Sequence, residues 1–195
     1  MKVVLAIDSL KGSLSSIQAG NAVKEGILKI HPHADVILKP LADGGEGTTD
    51  ALIEGLGAKK INITVTGPLG SPVHAYYGLL PDSNTAVMEM ASAAGITLLT
   101  ESEKAPLRAT TYGVGEMIKD AVQKGCRDFI IGIGGSATND GGIGMLKALG
   151  FSFLDKNGKE TLEGAQALDT VSSIDISNKL PELSDCRFRI ACDVT

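Results

Sequence analysis

The chain has no Cys-x-x-Cys pair, no apolar run of membrane-spanning length, and no Lys/Arg cluster interleaved with aromatics. Each absence excludes something. Cys126, Cys186 and Cys192 are widely spaced, which fits reduced thiols in a cytoplasmic protein better than disulfides or zinc. His31, His33 and His74 lack ligand spacing with any cysteine, and His31-Pro32-His33 reads as the surface end of a helix. The run Val3-Val4-Leu5-Ala6-Ile7 is too short for a signal h-region and stops at Asp8. A net charge of −5 argues against a nucleic-acid surface. Gly158-Lys159 lacks the upstream glycine and the Ser/Thr of a Walker A loop. Gly113-x-Gly115 lacks the third glycine and the preceding strand of a dinucleotide fingerprint. Neither a protein-kinase signature nor Gly-x-Ser-x-Gly occurs.

The 195 residues, 43% hydrophobic and 21% charged, suffice for one large domain or one and a half around a real core. Their most informative stretch is Gly132-Ile133-Gly134-Gly135-Ser136-Ala137-Thr138-Asn139-Asp140-Gly141-Gly142. It follows the apolar run Phe129-Ile130-Ile131, a buried strand, and precedes a helical pattern of Ile143, Leu146 and Leu149 stopped by Gly150. Glycines there let backbone N–H groups approach a ligand, and the helix start adds donors and a positive dipole end suited to phosphate. Ser136, Thr138 and Asn139 can donate, and Asp140 can cap the helix or hold a cation. A tight turn with an N-cap would explain Asp140 and one glycine pair, but not four glycines with four polar side chains.

Before this stretch the chain alternates strands and helices. A strand at 3–7, continuous in apolar residues, reads as buried on both faces of a parallel sheet. A capping box Ser15-x-x-Gln18 opens a helix with Ala19, Ala22, Val23, Gly26, Ile27 and Ile30 on one face. A strand at 36–38 leads into Ala42-Asp43-Gly44-Gly45-Glu46-Gly47-Thr48, then a helix stopped by Gly57. This order predicts an α/β fold with a doubly wound, mostly parallel, Rossmann-like sheet, and ligands at the carboxyl ends of its strands. From 61 the apolar residues alternate, so 61–106 is expected to be a β-rich insertion, dividing an α/β domain formed by 1–60 and 107–195. Thr111 caps a helix with Val114, Met117, Ile118, Ala121 and Val122 on its apolar face. Asn157-Gly158 suggests a hairpin turn, residues 160–184 carry no clear pattern, and Phe188-Arg189-Ile190-Ala191-Cys192-Asp193 is a final strand.

Phosphoryl transfer needs the parts these strand-end loops carry: donors for phosphate oxygens, a cation, and carboxylates for Mg²⁺ and the attacking hydroxyl. Lys11 could neutralise a phosphate or a substrate carboxylate, or lie solvated on the surface. Asp8 and Asp43 could bind substrate hydroxyls or Mg²⁺, or cap helices. Asp193 could be a base or metal ligand, or a polar strand end.

The motifs resemble the bacterial glycerate kinase family, two-domain ATP-dependent kinases acting on D-glycerate. The resemblance rests on Asp8-Ser9-Leu10-Lys11-Gly12-Ser13, Ala42 to Thr48, Thr66-Gly67-Pro68-Leu69-Gly70, Glu89-Met90-Ala91, the 132–142 stretch and Cys192-Asp193-Val194-Thr195. Leu10 stands where phenylalanine is expected. The likeness covers the family's N-terminal half, so the chain reads as a fragment whose α/β domain is incomplete at the C-terminus. It implies ATP and Mg²⁺ as cofactors and a phosphoglycerate product, with the 2-hydroxyl as acceptor. Lys11, Asp43 and Asp193 become the expected catalytic residues. Asp8, Ser9, Gly44, Gly45, Gly134, Gly135, Ser136, Thr138 and Asn139 are expected to hold substrate or phosphate, and Asp140 the metal. The expected partner is small-molecule glycerate, not nucleic acid or membrane; a homodimer stays open. A non-catalytic anion-binding module and a kinase for a related hydroxy acid are the rival readings.

Overall fold

The computed structural model describes residues 1–10, 13–41, 47–81 and 84–192. Expected site residues Lys11, Asp43, Gly44, Gly45 and Asp193 lie outside the described residues.

Strand β1 (Lys2–Leu5) pairs in parallel with β2 (Asp35–Leu38), Val3 opposite Val36. Between them runs helix α1 (Ser16–Ile30). Its capping box forms as the sequence predicts: Gln18 N–H donates to Ser15 Oγ at 3.1 Å, and Ser15 N–H donates to Gln18 Oε1 at 2.9 Å. Gly20 lets the helix close on Leu38, where a Cβ would stand 3.1 Å from that side chain. The burial expected for the first strand is corrected. Among the described residues β1 ladders with β2 only, as a two-stranded sheet, and Val4 is 57% exposed. A strand without a second neighbour and a second covering layer keeps one face open, whatever its apolar content.

Helix α2 (Thr48–Leu56) ends at Gly57, whose φ of 66° is the left-handed cap predicted there. The central sheet follows, with β3 (Lys59–Thr66), β4 (Pro72–Leu80), β5 (Thr85–Glu89), β6 (Asp128–Gly132) and β9 (Arg187–Ala191) side by side in that order. The β3–β4 and β4–β5 pairs are antiparallel; β5–β6 and β6–β9 are parallel. The architecture is thus mixed α/β, and the alternating stretch from 61 contributes strands to the same sheet as the glycine-rich stretch.

Short helix α3 (Ala91–Ala94) follows β5, and α4 (Tyr112–Gln123) packs across the sheet. The residues that share a helical face in the sequence are the ones that bury: Val114, Met117, Ile118, Ala121 and Val122 meet Tyr77, Met88 and Phe129 in one core. Each Val, Ile, Met or Phe side chain among them removed from water contributes about 1.5–3 kcal/mol. Tyr77 is wholly buried, and its hydroxyl donates to Asp120 Oδ2 at 2.7 Å, so the core's one phenol is satisfied. Helix α5 (Ile143–Ala148) lies beside α4. Then β7 (Ser152–Leu154) turns at 155–159, where Asp155 Oδ1 accepts the N–H groups of Asn157 and Lys159. Its ladder partner is β8 (Ser173–Asp175), from the stretch where the sequence shows no pattern. Among the described residues no helix is long and apolar enough to cross a membrane.

Candidate active site

Three strand tips come level at one edge of the sheet. Glu89 ends β5 in register with Gly132, which ends β6, and Gly132 is in register with Ala191 at the end of β9. Because the strands are parallel, their carboxyl ends coincide, and the 132–142 loop leaves the sheet there.

The loop is sewn to its surroundings at fixed points. Ile133 N–H donates to Ala191 O at 3.4 Å, Ile96 N–H to Gly135 O at 2.9 Å, and Ala137 N–H to Ala94 O at 2.8 Å. Gly135, with φ of 71°, takes a backbone shape that costs an L side chain roughly 1–2 kcal/mol. The hydroxyls of Ser136 and Thr138 lie 2.8 Å apart, and Thr138 N–H donates to Ser136 Oγ at 3.0 Å. Asn139 is exposed. The backbone N–H groups of Gly134, Gly135, Asn139 and Gly141 donate to none of the described residues.

Asp140 is 1% exposed and organises the far side of the loop. Its Oδ2 accepts Thr111 N–H and Thr111 Oγ1–H, both at 2.9 Å, and Gly144 N–H at 3.1 Å; Oδ1 accepts Gly142 N–H at 3.0 Å. Thr111 Oγ1 accepts Met145 N–H at 2.9 Å. One carboxylate therefore ties the start of α4 to the start of α5. This corrects the expectation that the α5 N-terminus offers free donors to a phosphate. Asp140 and Thr111 already occupy them, and the N–H groups without a partner among the described residues sit earlier in the loop. Asp140 thus serves as a cap on the start of α5.

Ser136, Thr138, Asn139, Asp140, Gly141 and Gly142 line a cavity of about 570 Å³. Thr111 lines it too; the rest of the described lining is apolar, including Met90, Ile131, Leu149 and Phe188, with no Lys or Arg among the described residues. Asp8 and Ser9 are not in that lining; Ser9 N–H donates to Asp8 Oδ1 at 2.6 Å.

Sequence reasoning gave no role to Glu89. It is 5% exposed, and its Oε1 accepts Thr49 N–H at 2.5 Å. Burial pushes its pKa up, while the N–H groups of Thr49 and Gly47 pull it down. The available signal was a lone carboxylate at the end of the apolar run Ala86-Val87-Met88.

Residues 3–195 match the glycerate kinase family along their whole length. The chain belongs to that family. It is 47% identical over 195 residues to the glycerate 2-kinase of Escherichia coli (strain K12), covering all of this chain and 51% of that protein. It is 46% identical over 194 residues to the glycerate kinase of Bacillus subtilis (strain 168), with the same coverage. A crystal structure of a protein from Salmonella typhimurium LT2, provisionally named glycerate kinase 2, superposes with a TM-score of 0.89 at 46% identity. The match covers all of this chain and 52% of that one. The chain thus spans about half the length of the relatives it matches, and the glycine-rich loop lies within the matched span.

Proposed function

We propose that the full-length glycerate kinase family protein containing this chain transfers a phosphoryl group from ATP to D-glycerate, with the 2-hydroxyl as acceptor. The observation that carries this reading is the 132–142 loop. It sits at level strand tips, with the N–H groups of Gly134, Gly135 and Gly141 donating to none of the described residues, in a chain whose 46–47% identical relatives are named glycerate kinases. ATP, when bound, supplies the transferable phosphoryl group.

In this reading the N–H groups of Gly134 and Gly135 and the hydroxyls of Ser136 and Thr138 hold phosphate oxygens. Asn139, exposed and in the cavity lining, adds a side-chain amide. Such donors are pre-aimed, because the bonds from Ile96 and Ala137 fix the loop before any ligand arrives. The apolar wall excludes water from one side, which strengthens each polar contact. Asp8 and Ser9 are proposed for the substrate, with Lys11, Asp43, Gly44, Gly45 and Asp193 supplying charge, backbone donors and proton handling.

Mg²⁺ at a kinase site is held by one or two carboxylates together with nucleotide phosphates. Asp43, Asp140 or Asp193 would supply that carboxylate here, where Mg²⁺ would offset phosphate charge; Asp140 also accepts four hydrogen bonds within the protein. A doubly wound α/β domain with 61–106 inserted, and a cytoplasmic location, belong to the same reading.

The test is a coupled assay of ATP consumption with D-glycerate on the full-length protein, with ³¹P NMR of the product to identify the esterified hydroxyl. Turnover giving 2-phosphoglycerate is the expected result. Binding of glycerate or phosphate by calorimetry without ATP turnover would establish a binding module instead. Turnover only with another hydroxy acid would move the assignment to that substrate.

A further inference from the structure

Helix α2 begins without a cap of its own. Its N-cap residue is Gly47, with φ of 91° and no side chain to offer the first N–H groups. The missing acceptor comes from 40 residues away. Glu89 Oε1 accepts Thr49 N–H at 2.5 Å, from the tip of a strand in which every residue is buried. Its carboxylate thus faces the positive end of α2.

The same residue is tied to the glycine-rich loop. Glu89 pairs in register with Gly132, and the next residue, Met90, donates its N–H to Gly132 O at 2.9 Å. The start of α2 and the start of the 132–142 loop are therefore both fixed to one strand tip.

We infer that Glu89 is a positioning residue: its buried carboxylate caps α2 from the end of β5 and thereby holds the Gly47 end of that helix in register with the glycine-rich loop after β6. The catalytic consequence rests on the function proposed above; the structural link does not. Loosening such a support displaces groups that must be placed to within about 0.5 Å, and losses of roughly 10–100-fold are typical.

The experiment compares Glu89→Gln and Glu89→Ala in the full-length protein, by kinetics and by amide NMR. Gln retains an acceptor oxygen at the same reach, whereas Ala removes it. A positioning role predicts that Ala lowers kcat about 10–100-fold, that Gln restores most of it, and that KM for glycerate changes little. It also predicts that the Thr49 amide proton moves strongly upfield in Ala, with smaller shifts at Gly134 and Gly135. Equal inactivity of Gln and Ala with an unshifted Thr49 amide would overturn the inference, since that marks a group acting on substrate. A lowered Tm with unchanged kcat and unmoved Gly134 and Gly135 amides would overturn it too. If Ala does not fold, the Gln variant decides: a shifted Thr49 amide with kcat within about tenfold of wild type supports the role, and an unshifted amide removes it. The NMR arms read the link even where the wild type fails to phosphorylate glycerate, so the two proposals fail separately.

Discussion

The Asp140 carboxylate receives both the backbone N–H and the hydroxyl of Thr111, each at 2.9 Å, across 29 residues of sequence. Thr111 in turn accepts Met145 N–H, so two helix starts share one buried polar knot. Such a knot is costly to break because each donor left behind stays buried without water.

Asp140→Ala should therefore destabilise the protein by about 3 kcal/mol, and Thr111→Val by about 1–2 kcal/mol, in urea unfolding. The double variant should fall short of the sum by about 0.5–3 kcal/mol, since both substitutions remove the same bonds. Strict additivity would show that the two residues act independently.

Glycine substitutions should split by available space. A Cβ on Gly144 would lie 2.1 Å from Thr110 Oγ1 and 2.9 Å from Asp140 Oδ2, inside that knot. Gly144→Ala should cost at least about 2 kcal/mol. Gly26, exposed in α1 with nothing within 4 Å of a built Cβ, should behave oppositely. Gly26→Ala should stabilise by about 0.5–1 kcal/mol, from helix propensity alone. Thermal unfolding of the pair reads both signs in one experiment.

The raised pKa of Glu89 sets a sign for pH dependence. Burial is the largest cause, with nearby Asp50 adding a small repulsion. A carboxyl whose folded pKa lies above its ordinary value of 4.5 binds more protons folded than unfolded. Its contribution to stability is thus fully present below pH 4.5 and is lost as pH rises through the folded pKa. The difference in unfolding free energy between wild type and Glu89→Gln should shift against the wild type across that interval and level off above it. A difference that does not change with pH would place the carboxyl in water.

These predictions draw on features unequally visible in the sequence. Local signals read true: Ser15 and Gln18 form their capping box, Gly57 ends α2, and the apolar face from Val114 to Val122 is the buried one. Each depends on neighbours within a few residues. What the sequence could not show is pairing over long separations. The alternation in β3 to β5 marks half-buried strands, but nothing local says that β5 will lie beside β6. Nor does apolar content in β1 reveal how many neighbours it finds. Asp140 was visible as a cap or a cation holder. That it would also bond Thr111, 29 residues away, was not.

The loop itself gives the sharpest functional prediction. Ser136 Oγ accepts Thr138 N–H and lies 2.8 Å from the Thr138 hydroxyl, so it shapes the turn and stands ready as a donor. Ser136→Ala removes both roles while leaving the bonds of Gly135 O and Ala137 N–H in place. The fold should therefore survive, with Tm lowered by only a few degrees. Phosphoryl transfer should suffer much more, because losing one aimed donor costs on the order of a hundredfold in rate. Gly135→Ala offers the complementary test, since its φ of 71° imposes strain without deleting a polar group. Activity should fall in both variants, through a lost donor in one and a displaced loop in the other. Near-wild-type kcat in Ser136→Ala, measured with D-glycerate and ATP on the full-length protein, would separate this loop from the transferring phosphate.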